Sequence, residues 1–263
     1  MTTWTLDEDL AMARRLADAA ADISLTFHRR SPREWKKSDG SLATEADVEV
    51  EKAMRRLLAE SRPDDAILGE ESGASGEGPR RWILDGIDGT REFAAGVDAW
   101  GSLIALEIDG RTAVGYCVEP ARHRHTWAIR GGGAFSQEDL AEITQLSVSR
   151  VASLAGARGW VPPPHYIPDA AAQRGVDAVL TSLDASSDVL YHPALEVAAG
   201  WLDCAVFFTG GPWDLAAPSL IVEEAGGRFT DHAGASTIDS GHAIYSNGRL
   251  HDAVLTVVAR ARR

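Results

Sequence analysis

Asp85 and Asp88 lie three residues apart in the stretch Trp82-Ile83-Leu84-Asp85-Gly86-Ile87-Asp88-Gly89-Thr90. The apolar run Trp82 to Leu84 stops at Asp-Gly, which reads as a strand ending in a turn and leaves two carboxylates at a sheet edge. Two anions aimed at one point are best explained by a cation between them. Hard oxygen donors suit Mg²⁺ or Mn²⁺ and not zinc. Gly89-Thr90 then opens a helix whose free N–H groups face the same spot and favour a phosphate. Glu70-Glu71 follows another apolar run, Ala66-Ile67-Leu68, and adds an acidic pair at the end of a neighbouring strand. A carboxylate-bound metal beside an anion-binding helix start outlines a phosphoryl-transfer site.

Two further acids admit a local explanation. Asp214 follows Gly210-Gly211-Pro212-Trp213, and alone it reads as an N-cap, a role that contributes about 1 kcal/mol. Beside Glu70, Asp85 and Asp88 it reads as the ligand that joins the two halves of the chain. Asp47 stands three residues after Thr44, as in a capping box, which accounts for it locally. His123 and His125 have an H-x-H spacing without a third ligand cluster, so zinc is not expected there. His192 before Pro193 reads as a helix-start residue near the cleft, Gly131-Gly132-Gly133 as a turn, and no G-x-S-x-G elbow supports serine hydrolase chemistry.

The elements that must position these residues show in the periodicity. Leu6, Leu10, Ala13, Leu16, Ala17, Ala20, Ile23 and Phe27 form one helical face, and Val50, Ala53, Met54, Leu57 and Leu58 form a second. Lys36 to Gly40 reads as a polar turn, and Gly73 to Gly78 as a mobile loop. Leu103–Ile108 and Thr112–Val118, joined by Asp109-Gly110, read as a hairpin. After about residue 150, short apolar runs near Leu154, Val179-Leu180, Ala205 to Phe208, Arg228-Phe229 and Ala243 to Tyr245 alternate with helical patterns, and Val161-Pro162-Pro163-Pro164 reads as an extended loop. The expected division is 1–150, helices on an antiparallel sheet carrying most ligands, and 151–263, an α/β half supplying Asp214.

A chain of 263 residues, 44% hydrophobic and 25% charged, can bury a full core. Its net charge of −13 argues against nucleic acid or an anionic membrane as partner. Cys117 and Cys204 are distant in sequence and read as core thiols, so a cytoplasmic location is expected. Residues 1–10 lack an apolar export segment, and no run is long enough to span a bilayer.

Gly69-Glu70-Glu71-Ser72, Asp85-Gly86-Ile87-Asp88-Gly89-Thr90 and Trp213-Asp214-Leu215-Ala216 resemble, in order, the three motifs of the Mg²⁺-dependent, lithium-sensitive inositol monophosphatase superfamily. The resemblance covers nearly the whole chain. It implies an α/β (α+β) layered α-β-α-β-α sandwich, two or three Mg²⁺ ions with Mn²⁺ as a substitute, and a homodimer. It places Glu70, Asp85 and the Ile87 carbonyl on one ion, and Asp85, Asp88 and Asp214 on a second. It makes Asp47, Thr90 and Glu70 the catalytic group, with Asp47 and Thr90 orienting the attacking water, and gives the Gly89 and Thr90 amides the phosphate. Gly86 departs from the family's proline, at an expected cost of roughly 0.4 to 1 kcal/mol through a freer unfolded chain if the backbone there suits proline. Phe207 stands where inositol-hydrolysing members carry an acidic residue. Asp188, His192 and Phe207 are the expected substrate pocket, with Asp184 or Asp188 available to face an ammonium group. The run from Gly89 to Leu106 and Trp127-Ala128-Ile129-Arg130-Gly131 look like the histidinol-phosphatase branch. Histidinol phosphate is therefore the expected substrate. Inositol 1-phosphate, adenosine bisphosphate and a non-catalytic phosphate-binding role are the alternatives.

Overall fold

The computed structural model describes residues 4–38, 40–186, 188–189 and 191–261. Helix α1 (Leu6–Phe27) starts where the Thr5 hydroxyl accepts the Glu8 N–H and the Glu8 carboxylate accepts the Thr5 N–H. It buries Met12, Ala13, Leu16, Ala17 and Ala20, the stripe legible in the sequence. Helix α2 (Glu45–Ser61) lies beside it, and α3 is the short Thr90–Ala94. The later helices are α4 (Ala170–Ser182), α5 (Pro193–Ala198), α6 (Pro212–Glu224) and α7 (His251–Ala261).

The strands fall into three groups in chain order. A ribbon pairs β1 (Glu34–Lys36) with β2 (Leu42–Thr44). The large sheet uses β3 (Ala66–Gly69), β4 (Gly73–Ser75), β5 (Arg80–Asp88), β6 (Gly101–Ile108), β7 (Arg111–Glu119), β8 (Arg124–Ile129), β9 (Gly133–Glu138) and β10 (Thr144–Gln145). Its spatial order is β10-β9-β8-β7-β6-β5-β3-β4, antiparallel except for β3 beside β5. The smaller sheet orders β11 (Arg158–Trp160), β12 (Asp184–Ser186), β13 (Cys204–Phe207), β14 (Arg228–Thr230) and β15 (Ala243–Ser246) as β12-β11-β13-β15-β14.

Three apolar clusters bind five layers. One packs α1 and α2 on the large sheet, one surrounds α5 and α6 between the sheets, and one lies under α4 and α7 outside the smaller sheet. This is the expected α-β-α-β-α sandwich. Helix α6 is the middle layer, and Leu215 to Val222 are all buried, as a helix with protein on every side requires. At Gly115 of β7 an added Cβ would lie 2.7 Å from the Ala217 carbonyl oxygen, so strand and helix touch backbone to backbone.

Several local expectations change. Val179 and Leu180 belong to α4, capped by Asp169, because a short apolar run in an alanine-rich segment does not separate strand from helix. Leu154 lies in a loop, and the strand begins at Arg158. Gly73–Ser75 is an edge strand on β3 and not a free loop. The polar turn after Lys36 closes the β1–β2 ribbon, with Asp39 outside the described residues. The Asp109-Gly110 hairpin forms as read, both residues at positive φ of 51° and 74°.

Candidate active site

β5 does not stop at Asp85. It continues to Asp88, and its pairing with β6 slips between those two residues. In a regular strand, side chains three apart point to opposite faces, so the bulge is what lets Asp85 and Asp88 converge. Ser102 of β6 donates to the Gly86 carbonyl at 2.7 Å across the slip. Asp214 arrives from the other sheet side as the third residue of α6, its Oδ2 accepting the Gly211 N–H at 2.5 Å. Its capping contact therefore comes from inside the helix, not from the N-cap position.

One carboxylate oxygen from each of Asp85, Asp88 and Asp214 lies within 4.8 Å of the others. Both oxygens of Asp85 are buried and meet no hydrogen-bond donor among the described residues. Burial first, then the neighbouring carboxylates, pushes Asp85 and Asp214 well above the ordinary carboxylate range. Burial likewise pushes Asp88 up to about 6, against hydrogen bonds that favour its charged form. Buried oxygen donors without partners, and without a nitrogen or sulfur ligand in the group, fit a hard divalent cation.

Glu70 stands apart from this trio. Its Oε1 and the Oε1 of Glu71 each receive the Lys37 ammonium at 2.6 Å. Burial works against that ammonium, but the hydrogen bonds to Glu70 and Glu71 outweigh it and raise Lys37 above its usual range. The turn carrying the two glutamates is itself held from below. Glu51 on α2 accepts the N–H groups of Glu71 (2.7 Å) and Ser72 (3.1 Å) and pairs with Arg55. A Cβ at Gly69 would sit 2.5 Å from the Glu51 carboxyl carbon, which explains the glycine. Lys37 and Glu51 are not among the site residues expected from the sequence. The available signal was an acid at position 51 in the i, i+3, i+7 stripe with the buried Met54 and Leu58.

Asp47 meets two demands with two oxygens. Oδ2 accepts the Thr44 N–H at 2.8 Å, completing the capping box of α2, while Oδ1 accepts the Thr90 hydroxyl at 2.9 Å. Burial pushes Asp47 up to about 6, with the Thr44 and Thr90 bonds opposing. The Thr90 hydroxyl also lies 3.0 Å from the Ile87 carbonyl, which turns toward the cleft. Gly89 caps α3 at φ 82° with no side-chain bond to the first turn, and its own N–H is one of the donors that favour charged Asp88. Gly86 packs against α2, where a Cβ would lie 2.9 Å from the Asp47 carbonyl oxygen, so a proline would have to displace that helix start and the cost expected for its absence does not apply.

These groups open into a cleft of about 560 Å³. Its far wall is aromatic: Phe207 stacks on His192 at 5.4 Å, and Trp160 lies 4.9 Å from Phe207 at a tilt of 38°. His192 caps α5, its Nδ1 accepting the Ala194 N–H at 3.3 Å. Burial pushes it down to about 4 against a hydrogen bond to the Asp214 carbonyl. Pro218, four residues on, has no N–H to offer that carbonyl. Asp188 and Asp184 are exposed and are not among the described residues lining the cleft; Val189 is. His125 meets the Tyr116 hydroxyl at 2.9 Å, and no third ligand joins it and His123 among the described residues.

A five-layer sandwich with an acidic trio and a Thr–Asp pair in one cleft defines a class, and residues 5–263 of the chain belong to the inositol monophosphatase family. Among its relatives, a histidinol-phosphatase of Mycobacterium tuberculosis is 40% identical over 261 residues, covering 95% of this chain and 97% of that protein. A histidinol-phosphatase of Streptomyces coelicolor is 36% identical over 267 residues, covering 94% and 96%. An IMPase structure from Thermotoga maritima superposes with a TM-score of 0.82 at 27% identity, covering 97% of this chain and 98% of that one.

Proposed function

We propose that the protein is a metal-dependent phosphomonoesterase whose substrate is histidinol phosphate. The observation that carries the reading is the convergence of Asp85, Asp88 and Asp214, with Asp85 unpartnered, beside the Asp47–Thr90 hydrogen bond. Asp85, Asp88, Asp214, Glu70 and the Ile87 carbonyl would hold two or three Mg²⁺ ions, or Mn²⁺ in their place. When bound, the metal neutralises the phosphate oxygens, lowers the pKa of an attacking water and stabilises the leaving oxygen.

The remaining work falls to this chain's own groups. We assign the Gly89 and Thr90 amides to the phosphate oxygens, the role backbone donors at a helix start serve. Thr90 Oγ1, its own proton committed to Asp47, presents a lone pair to the water and draws its proton toward the threonine–aspartate pair. Glu70 shares one oxygen, Oε1, with Lys37 and would bring its carboxylate to the site in competition with that ammonium. Phe207, His192 and Trp160 offer planar faces to a heteroaromatic ring and no acceptor positioned for a ring hydroxyl, which favours histidinol phosphate over a polyol phosphate. We assign residues 1–150 and 151–263 as the two halves meeting at this cleft, in a cytoplasmic homodimer. No helix among the described residues is long and apolar enough to cross a membrane.

The test is release of inorganic phosphate from histidinol phosphate and from inositol 1-phosphate, with Mg²⁺ and with a chelator. We expect Mg²⁺-dependent turnover and a higher kcat/KM on histidinol phosphate. Chelator-resistant turnover, or a preference for the inositol ester, overturns the assignment.

A further inference from the structure

We propose that Glu92, held by Tyr166, is the residue with which the cleft selects a phosphate ester bearing a positive charge; the proposal rests on the phosphatase reading above. Glu92 is the third residue of α3, two after Thr90, and lines the same cleft as the acidic trio. Its Oε2 accepts the Tyr166 hydroxyl at 3.2 Å, and no hydrogen bond reaches Oε1 among the described residues. Tyr166 comes from the turn after the proline run and also lines the cleft. The bond therefore ties the carboxylate to the opposite wall and leaves its second oxygen available.

Glu92 is an acid without a cation. Glu70 and Glu71 are paired with Lys37, Glu119 with Arg124 and Glu107 with Arg81, whereas Glu92 forms no ion pair among the described residues. A free carboxylate in a cleft that receives a phosphate dianion repels every such substrate by Coulomb's law. That repulsion is offset only when the ester carries its own cation, which then gains a charge-assisted hydrogen bond. An ester with a neutral alcohol gains at most a hydroxyl hydrogen bond there and keeps the repulsion. The same carboxylate thus attracts one class and disfavours the other. The aromatic faces of Trp160 and Phe207 add a surface on which an imidazolium, an ammonium or a guanidinium is stabilised over a π system. Asp184 and Asp188, exposed and away from the cleft lining, do not supply this charge.

Glu92→Gln preserves shape and still accepts the Tyr166 hydroxyl, and Tyr166→Phe keeps the ring and releases the carboxylate. Each is assayed with Mg²⁺ for kcat/KM on histidinol phosphate and on glycerol 2-phosphate, a neutral-alcohol ester, at fixed ionic strength. For Glu92→Gln we expect a fall of roughly tenfold to a hundredfold on histidinol phosphate, the range for loss of a hydrogen bond to a charged group, carried mostly by KM. Glycerol 2-phosphate turnover should be unchanged or improved. Tyr166→Phe should show the same sign with a smaller size. Equal losses on both esters, or no loss on histidinol phosphate, overturn the proposal while turnover by the parent leaves the phosphatase reading standing. A parent that hydrolyses neither ester overturns the reading and the proposal with it.

Discussion

Asp47 divides its carboxylate between Thr44 and Thr90, one oxygen completing a helix cap and the other accepting the hydroxyl that faces the cleft. The geometry thus serves the cap and the proposed catalytic role with different atoms of one residue.

Asp47→Asn retains one acceptor oxygen. Directed at the Thr44 N–H it keeps the cap, and its amide then points a donor at Thr90, reversing that bond. Stability should change by no more than about 1 kcal/mol, the worth of a cap. Turnover should fall roughly 10² to 10⁴, the scale of general-base assistance. Thr44→Ala should do the opposite, lowering the melting temperature and sparing kcat. Melting curves and kcat on the same preparations check both, and a fully active Asp47→Asn enzyme would remove Asp47 from the mechanism.

Asp85→Asn takes a buried, unpartnered carboxylate out of a group of like charges. Without metal the variant should melt at or above the parent temperature, because repulsion and desolvation are both relieved. Added Mg²⁺ should raise the parent's melting temperature and leave the variant's unmoved. A metal-free variant markedly less stable than the parent would contradict the electrostatic account.

Lys37→Met removes the ammonium that occupies Glu70 and Glu71. Calorimetric titration should show tighter Mg²⁺ binding than in the parent, since the ion no longer competes for Glu70. The metal-free form should lose stability because two half-buried glutamates are left unpaired. Unchanged or weaker Mg²⁺ binding would show that Lys37 helps to build the site instead of guarding it.

His251 gives a pH dependence remote from the cleft. It is fully buried between Thr230 (2.8 Å) and Ser246 (2.9 Å), and burial pushes it from an ordinary 6.5 down to about 4. Its folded value lies below the unfolded one, so its contribution is complete above pH 6.5 and is lost as pH falls toward 4. The full contribution is about 3 kcal/mol. His251→Gln should melt at a temperature that falls less steeply than the parent's across that interval, and parallel curves would refute the assignment.

How much of this was legible follows from what each residue leaves in the chain. Asp85, Asp88, Asp214 and Asp47 show because acids at element ends interrupt apolar runs, and α1 and α2 show because their stripes repeat over several turns. The bulge that brings Asp85 and Asp88 to one side leaves no such trace, since Gly86 reads equally as a turn. Lys37 and Glu51 are informative only through the turn they share at Glu70 and Glu71, a contact across tens of residues. Val179 and Leu180 were ambiguous for the reason any brief apolar run is. Glu92 looks like an ordinary first-turn acid until Tyr166 is placed opposite it.

The backbone contact between Gly115 and Ala217 bears on ion choice by radius. With no side chain between strand and helix, α6 sits at its closest approach to the large sheet, and that contact sets how near Asp214 can come to Asp85 and Asp88. Mg²⁺ takes oxygens at roughly 2.0–2.1 Å and Ca²⁺ at roughly 2.3–2.6 Å, so the larger ion needs a site that can breathe outward. The tight seam between β7 and α6 thus acts as the near stop of a calliper, and a bulkier residue at 115 would widen its opening toward the larger ion.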